Sequence, residues 1–143
     1  MVNEVTESNT RANFFKYIYT LIDNNKVTGT TVLAGFSSDN VTFPCYVINP
    51  ALVSISGATK GKDIQAYTLK IEIELWCKAV DLKAKIDAMK DNIQNTILTN
   101  KTALEAQNLC IAKDWFDDSN VDTLEFDMVK YHTGGVILSF DLI

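Results

Sequence analysis

The fold is decided by "YTLKIEIELWCKAVDLKAKIDAMKDNIQNTILT" (residues 67–99), in which the period of the apolar residues changes from two to about 3.6. Apolar and polar residues first alternate, which predicts a half-buried β-strand over about 65–78. Apolar residues then recur at helical spacing, which predicts an amphipathic helix over about 81–99 with Asp81 as its N-cap. The predicted core positions are Leu69, Ile71, Ile73, Leu75 and Cys77 on the strand, and Leu82, Ile86, Met89, Ile93 and Ile97 on the helix.

The polar face of this strand carries charged residues and one tryptophan. Such a face either meets water or pairs with charges on a partner chain. Trp76 is either a contact in a small satellite core or an anchor in an interface. If it anchors an interface, replacing it with Ala should weaken assembly and leave the monomer folded. The candidate interface residues on this strand are Lys70, Glu72, Glu74 and Trp76.

Further helical and strand patterns lie on either side of this stretch. They predict an N-terminal amphipathic helix over about 10–24 and a central last strand, apolar on both faces, over about 135–143. Shorter strands are predicted near 31–33, 43–48, 51–57, 109–116 and 121–131. A chain of 143 residues suits one domain. We therefore predict a single α+β domain over residues 1–143, with a largely antiparallel mixed sheet and two main helices packed on one face.

Composition limits the classes of function that this chain can have. Its formal net charge of -5 disfavours a protein that grips nucleic acid by its phosphates, since such binding depends on clustered Lys and Arg. The cysteines, Cys45, Cys77 and Cys110, are odd in number and lie in apolar runs, which favours buried, reduced thiols. No apolar run reaches the ~18 residues of a membrane span, and the polar N-terminus has no signal-peptide core. We expect a soluble protein made in a cytoplasm, with no membrane partner.

The segment "GATKGKD" (57–63) invites comparison with a phosphate-binding loop. A P-loop has four residues between its glycines and ends in Lys followed by Ser or Thr. Here three residues separate the glycines, and Lys62 is followed by Asp63. We therefore predict a turn between two strands, whose Lys60 and Lys62 are candidate contacts with the acidic surface of a neighbouring subunit.

The acidic stretch "DWFDDSNVDTLEFD" (114–127) invites comparison with a calcium-binding loop. With Asp118 as the first ligand, Thr123 takes the place of the required glycine and Val129 that of the bidentate Glu. A solvated acidic surface is the better interpretation, and a weak cation site is the alternative. The candidate residues of this surface are Asp114, Asp117, Asp118 and Asp122.

His132 and Ser139 are the residues that a Ser-His-Asp enzyme would require. Ser139 lies inside a predicted strand, without the strained turn that exposes a catalytic serine, and His132 precedes a glycine pair typical of a turn. Cys77 and Cys110 have no neighbouring His in the sequence, which favours inert core thiols over nucleophiles. We predict that the protein is not an enzyme and binds no cofactor or metal.

From Phe14 to the C-terminus, the chain resembles the tail terminator and tail-to-head joining (tail completion) proteins of long-tailed bacteriophages. The likeness rests on the N-terminal helix "NFFKYIYTLI", the long alternating strand that turns into a charged helix, and the closing strand "GGVILSFDLI". Proteins of that family share this size and this order of elements.

The resemblance implies a structural virion protein of the tail or neck, assembled in the host cytoplasm. Its subunits would form a closed ring, usually a homohexamer, that caps the tail tube and connects it to the head. The implied partners are further copies of the chain, the tail tube protein, and the head connector or neck proteins. DNA would pass through the ring without specific binding, and an acidic lumen suits that passage because it repels the polyanion.

A small-ligand-binding or regulatory cytoplasmic α+β domain is the alternative function. The sequence contains no converging set of His, Cys or carboxylate residues, which favours assembly over chemistry. Rings seen by electron microscopy would support assembly, whereas a strict monomer with a saturable small ligand would support the alternative.

Overall fold

The computed structural model describes residues 10–35, 41–49, 52–59 and 65–142. Within these ranges the chain forms helices and one sheet in the order α, four β, two α, three β. The elements are α1 (Thr10–Asn25), β1 (Thr31–Ala34), β2 (Cys45–Ile48), β3 (Leu52–Thr59), β4 (Gln65–Lys78), α2 (Ala84–Thr99), α3 (Lys101–Ala106), β5 (Leu109–Asp118), β6 (Asp122–Phe126) and β7 (Val129–Leu142).

Two long antiparallel strands, β4 and β7, form the centre of a seven-stranded sheet. Their pairing runs from Tyr67 opposite Leu142 to Lys78 opposite Tyr131. The outer edge of β4 pairs with β3 and then β2, and the outer edge of β7 pairs with β5 and β6. Among the described strands only β1 and β2 pair in parallel. The predicted α+β class with a largely antiparallel mixed sheet is confirmed.

The main core lies between the helices and one face of the sheet. The apolar row of β4 predicted from the sequence is fully buried there, next to the row of β7 that contains Val136, Leu138 and Phe140. On the helix side, Phe14 packs edge-on against Phe140, with 5.6 Å between the two ring centroids. The helical core residues are Phe14, Ile18, Ile22, Ile86, Met89, Ile93, Ile97 and Leu104. The apolar residues that recur every two positions on the strands and about every 3.6 positions on the helices therefore pack together in one layer, as predicted.

The predicted start of the second helix is wrong by three residues. α2 begins at Ala84, its N-cap position is Lys83, and no side chain caps it. Asp81 lies in the preceding turn, where its backbone N–H bonds the carbonyl of Lys78 at 3.0 Å. Leu82, which was predicted to be a core residue, is 78% exposed. Its spacing fits the helical stripe, but the chain must first turn away from β4, and this turn uses residues 79–83.

The last strand begins at Val129, six residues earlier than predicted, so that His132 is a strand residue and not a turn residue. Gly134 faces α2, and a Cβ atom placed on it would lie 2.8 Å from Ile86 Cγ2. The glycine is therefore needed for close packing of helix on sheet and does not mark a bend. His132 is buried, with Nδ1 at 3.1 Å from Thr123 Oγ1.

The predicted turn at "GATKGKD" starts later than expected, because β3 continues to Thr59. The register between β3 and β4 shifts between Ser56 and Thr59, which marks a bulge near the end of β3. Lys60 and Lys62, both candidate interface residues, lie outside the described residues. Their role as contacts stays a prediction.

Candidate functional site

The sheet face opposite the helices, here called the open face, is partly covered by a second, smaller core. Cys45, Val47 and Trp76 are buried there under the chain that leads into β2. Phe43 and Tyr131 pack with their ring centroids 4.8 Å apart, and Trp76 lies 6.2 Å from Tyr131. Trp76 is only 7% exposed. This burial favours the satellite-core interpretation of Trp76 and argues against its availability to a partner.

The uncovered part of the open face holds a groove of about 920 Å³, here called the acidic groove. β5 leaves the pairing register of β7 between Ile111 and Phe116, which opens the sheet edge at this point. The lining includes three carboxylates, of Glu72, Asp114 and Asp117, and one ammonium group, of Lys70. The lining residues of the groove are Asn49, Lys70, Glu72, Asp114, Phe116, Asp117, Ile137 and Ser139.

Asn49 fixes the two carboxylates of β4. Its Nδ2 donates hydrogen bonds to Glu72 Oε1 at 3.0 Å and to Glu74 Oε2 at 2.8 Å, and its backbone N–H bonds the carbonyl of Glu72. Glu72 and Glu74 lie two residues apart on one face of a strand, where like charges repel. The amide of Asn49 offsets that repulsion and holds Glu72 towards the groove.

The structure brings together some of the predicted site residues and separates others. Lys70 and Glu72 from the predicted interface line the groove with Asp114 and Asp117 from the predicted acidic surface. Asp118 instead accepts a hydrogen bond from Lys90 Nζ of α2 at 3.1 Å. Lys90 also donates to the backbone carbonyl of Ser119. Asp122 is exposed on β6, opposite Thr133 of β7.

A cluster of exposed apolar side chains, which sequence reasoning missed, lies at one end of the sheet. The β4–α2 turn and the β6–β7 hairpin meet there, since the backbone N–H of Ala79 bonds the carbonyl of Lys130 at 2.9 Å. Among the described residues, Leu98 is the only other exposed large apolar residue. The cluster, here called the apolar tip, comprises Val80, Leu82, Leu124, Phe126, Met128 and Val129.

The hairpin turn of the apolar tip has an unusual sequence for its geometry. Asp127 and Met128 form a two-residue loop with φ of 47° and 65°, the backbone of a type I′ turn. Such turns favour Asn-Gly, because glycine adopts positive φ without strain. Met128 instead presents a 93% exposed side chain from this position. In the sequence, this hairpin turn corresponds to Asp-Met between two runs of alternating apolar and polar residues. Asp-Gly is the pair that is typical of such a turn.

Two buried cysteine thiols of the sheet, one in each core, have raised pKa values. Burial raises the pKa of the Cys45 thiol to about 12, and Glu74 adds to this effect. Burial likewise raises the pKa of Cys77. Among the described residues, no three His, Cys, Asp or Glu side chains converge as metal ligands, and no helix has the length and apolar character needed to cross a membrane.

We expect the three thiols to react at very different rates with a disulfide reagent at pH 8. Cys110 is partly exposed, whereas Cys45 and Cys77 are buried. A pKa of about 12 in place of 9.0 leaves Cys45 about a thousandfold less thiolate than an ordinary thiol. Peptide mapping after a short exposure should find the label on Cys110, and urea should make all three react. Equal labelling of Cys45 in the folded protein would contradict the second core.

No protein-family model matches the sequence, and no curated protein matches it significantly. The function must therefore be inferred from the surfaces of the molecule. Two of these surfaces, the acidic groove and the apolar tip, are the candidates for contact with a ligand or a partner.

Proposed function

We propose that this protein is a non-enzymatic structural subunit of a ring, of the kind that ends the tail tube of a long-tailed bacteriophage and joins it to the head. The apolar tip carries the proposal. Exposed apolar side chains gathered at one end of a molecule are typical of protein contact sites, and here Val80 and Met128 are at least 90% exposed. A water-exposed cluster of this kind gains stability when another protein covers it.

Self-association is the form of contact that the two surfaces support best. The apolar tip and the acidic groove are different in chemistry and lie on different parts of the same sheet. A contact between unlike surfaces is heterologous, and repeated heterologous contacts close into a ring when the rotation between subunits permits. The net charge of -5 suits a ring whose channel lets DNA pass without binding it. The tail tube protein and the head connector would be the further partners.

One feature of the acidic groove favours the alternative function, a small-ligand-binding domain. Its volume of about 920 Å³ lies within the ~300–1,000 Å³ typical of ligand sites. Its lining, however, includes four charged side chains, three of them carboxylates. Typical ligand sites have only a few polar groups that fix the orientation of the ligand, and four charges in one groove make a protein contact the better interpretation.

The oligomeric state in solution tests the proposal. We expect the purified chain to form closed rings by light scattering and negative-stain microscopy, and Glu72→Lys to shift it towards folded monomer. Glu105→Lys is the matched control, because Glu105 is exposed on α3 and away from the open face. A wild-type protein that stays monomeric at all concentrations, and binds a small ligand in a saturable manner, would exclude the ring.

A further inference from the structure

We infer that the acidic groove receives a basic, extended segment of a neighbouring subunit, whose Lys or Arg side chains pair with the carboxylates of the groove. The inference rests on the proposed function, because it treats the groove as a protein contact. It adds the chemistry of the segment that the groove accepts. The surroundings of Ser139, the charge of the groove and its dimensions each support a basic segment.

A buried hydroxyl group lies in the groove without a protein partner. Ser139 is only 8% exposed, and it lines the groove with Lys70, the residue opposite it on β4. Side chains alternate along β7, and Leu138 and Phe140 face the core, so Ser139 points to the open face. Its hydroxyl forms no hydrogen bond with any described residue. Most buried polar side chains are bonded, so an unpaired hydroxyl in a groove indicates a group supplied from outside the chain.

The side chains of the groove are rich in hydrogen-bond acceptors and poor in donors. Asn49 already donates from Nδ2 to two carboxylates of β4, so that its remaining polar atom, Oδ1, is an acceptor. The carboxylates of Glu72, Asp114 and Asp117 are acceptors as well. Within the described ranges, neither Lys70 nor any of these three carboxylates belongs to an ion pair. Ammonium and guanidinium groups carry donors alone, and they form their strongest hydrogen bonds with carboxylates.

Charge decides which kind of partner can cover the groove. Glu72, Asp114 and Asp117 are exposed in the single chain, where water solvates them. A neutral or apolar partner would leave these carboxylates desolvated and unpaired, which is costly. A basic segment replaces the lost water with charge-assisted hydrogen bonds. The three carboxylates outnumber the ammonium group of Lys70, so the groove also attracts a cationic segment before contact is made.

The spacing of the carboxylates suits a segment of chain better than a single ion. No three His, Cys, Asp or Glu side chains in the described part of the chain are grouped so that they could hold a metal ion. Glu72 pairs with Ile137, and Ile137 pairs with Asp117, so these residues form one row across β4, β7 and β5. With about 4.8 Å between neighbouring strands, the backbones of β4 and β5 are about 10 Å apart in this row. Side chains narrow this width further, which suits one extended segment and not an α-helix of ~10–12 Å diameter.

The groove continues along β7, in the direction that an extended segment would take. A smaller recess of about 150 Å³ shares Glu72, Asp117 and Ile137 with the groove and extends to Gly135. Ile137 and Ser139 are two residues apart on β7, a distance of about 7 Å. Alternate side chains of an extended segment have the same spacing. Basic residues at alternate positions of the segment would therefore enter the groove at successive rows of the sheet.

A peptide-binding experiment tests the inference. The probe, acetyl-GRGRG-amide, is titrated into labelled protein that is diluted below the concentration at which rings form. Acetyl-GGRRG-amide has the same charge with adjacent arginines. We expect GRGRG to bind about threefold more tightly or better, and both affinities to fall as salt is added. Equal affinity for the two peptides would show a response to net charge alone, against the inference.

Charge variants locate the binding site of the peptide. Asp114→Asn with Asp117→Asn should weaken peptide binding by about tenfold or more, because charge-assisted hydrogen bonds are lost. Glu105→Gln with Asp122→Asn is the matched control, since it removes the same charge from exposed positions outside the groove. Lys70→Gln should strengthen binding, because it removes a positive charge from the groove, and a gain of affinity cannot result from a damaged fold. Equal weakening in the control, or no gain from Lys70→Gln, would overturn the inference.

Ser139→Ala separates a ligand-binding hydroxyl from a structural one. The hydroxyl has no bond to lose within the described chain, so we expect the midpoint of urea unfolding to stay or rise. Peptide affinity should nevertheless fall by about threefold or more. Ser119→Ala is the control for stability, because Ser119 Oγ accepts a hydrogen bond from the backbone N–H of Gly135 at 2.8 Å, and its midpoint should fall. Unchanged peptide affinity in Ser139→Ala would contradict a role for this hydroxyl in the site.

The outcomes distinguish a failure of this inference from a failure of the proposed function. If the dilute protein does not bind the peptide and the concentrated protein forms rings, the basic segment is overturned and the ring stands. If the peptide binds in the groove of a protein that stays monomeric at all concentrations, the groove chemistry is supported and the ring is overturned. Spermidine that binds as tightly as the peptide would identify a site for small cations, against the inference.

Discussion

Replacing Trp76 with Ala is expected to lower the free energy of unfolding by about 3–5 kcal/mol, as the loss of a buried indole does in other cores. Trp76 is 7% exposed, and its ring packs against Tyr131 and, at 6.1 Å between centroids, against Phe126. Removing it leaves a cavity between β2 and the hairpin beside Cys45 and Val47. Urea unfolding followed by circular dichroism measures the loss.

Two control variants sharpen this test. Trp76→Phe keeps most of the buried ring and should cost less than about 1.5 kcal/mol. Trp115→Ala removes a partly buried indole that contacts Phe116 on β5, and we expect a loss below about 2 kcal/mol. If Trp76→Ala instead kept wild-type stability and lost assembly, Trp76 would be an interface anchor and the second core would have no structural importance.

Replacing Gly134 with Ala is expected to destabilise the fold by about 1–3 kcal/mol. The added Cβ atom would lie 2.8 Å from Ile86 Cγ2 and 3.3 Å from Lys90 Cε. A branched methyl group in a packed core cannot move aside as the end of a flexible side chain does. The sign of the change in the free energy of unfolding is informative, because replacing Gly with Ala at an unhindered position stabilises a protein by about 0.4–1 kcal/mol.

A double-mutant cycle with Ile86→Ala identifies the cause of that loss. In this background the methyl group is absent, so Gly134→Ala should cost close to nothing, and the coupling energy should approach the single-mutant loss. Gly135→Ala is the neighbouring control, since its Cβ atom would face Ser119 Oγ at 3.3 Å on the opposite face of the sheet. An equal cost of Gly134→Ala in both backgrounds would show that α2 does not limit the space at this glycine.

The parts of the fold that follow local period were predictable from the sequence. Ile71 and Ile73 on β4, and Met89 and Ile93 on α2, are fully buried, because side-chain direction within one element depends only on spacing along the chain. The same rule predicted the polar face of β4. Lys70 and Glu72 were assigned to that face, and both line the acidic groove.

The remaining parts depend on contacts between distant segments. The acidic groove exists because β5 loses register with β7, and nothing in the residues before Phe116 indicates where pairing resumes. Trp76 packs against Phe126 and Tyr131, which follow it by fifty residues or more, and the alternation along β4 does not indicate these contacts. Leu82 fits the helical stripe and is nevertheless exposed, because the turn after β4 takes precedence over periodicity.

The pairing of β4 with β7 has a consequence for how the chain folds. Tyr67 pairs with Leu142 and Lys78 with Tyr131, so the two central strands can meet only after the whole segment between them has been synthesised. Contacts of such long sequence separation slow folding, because a large loop must be closed before they form. Until then β4 is an apolar strand with an unpaired edge, which is the kind of segment that aggregates during synthesis. We expect the chain to fold slowly. The yield of correctly folded protein should depend on temperature and on chaperones more strongly than the stability of the native state would suggest.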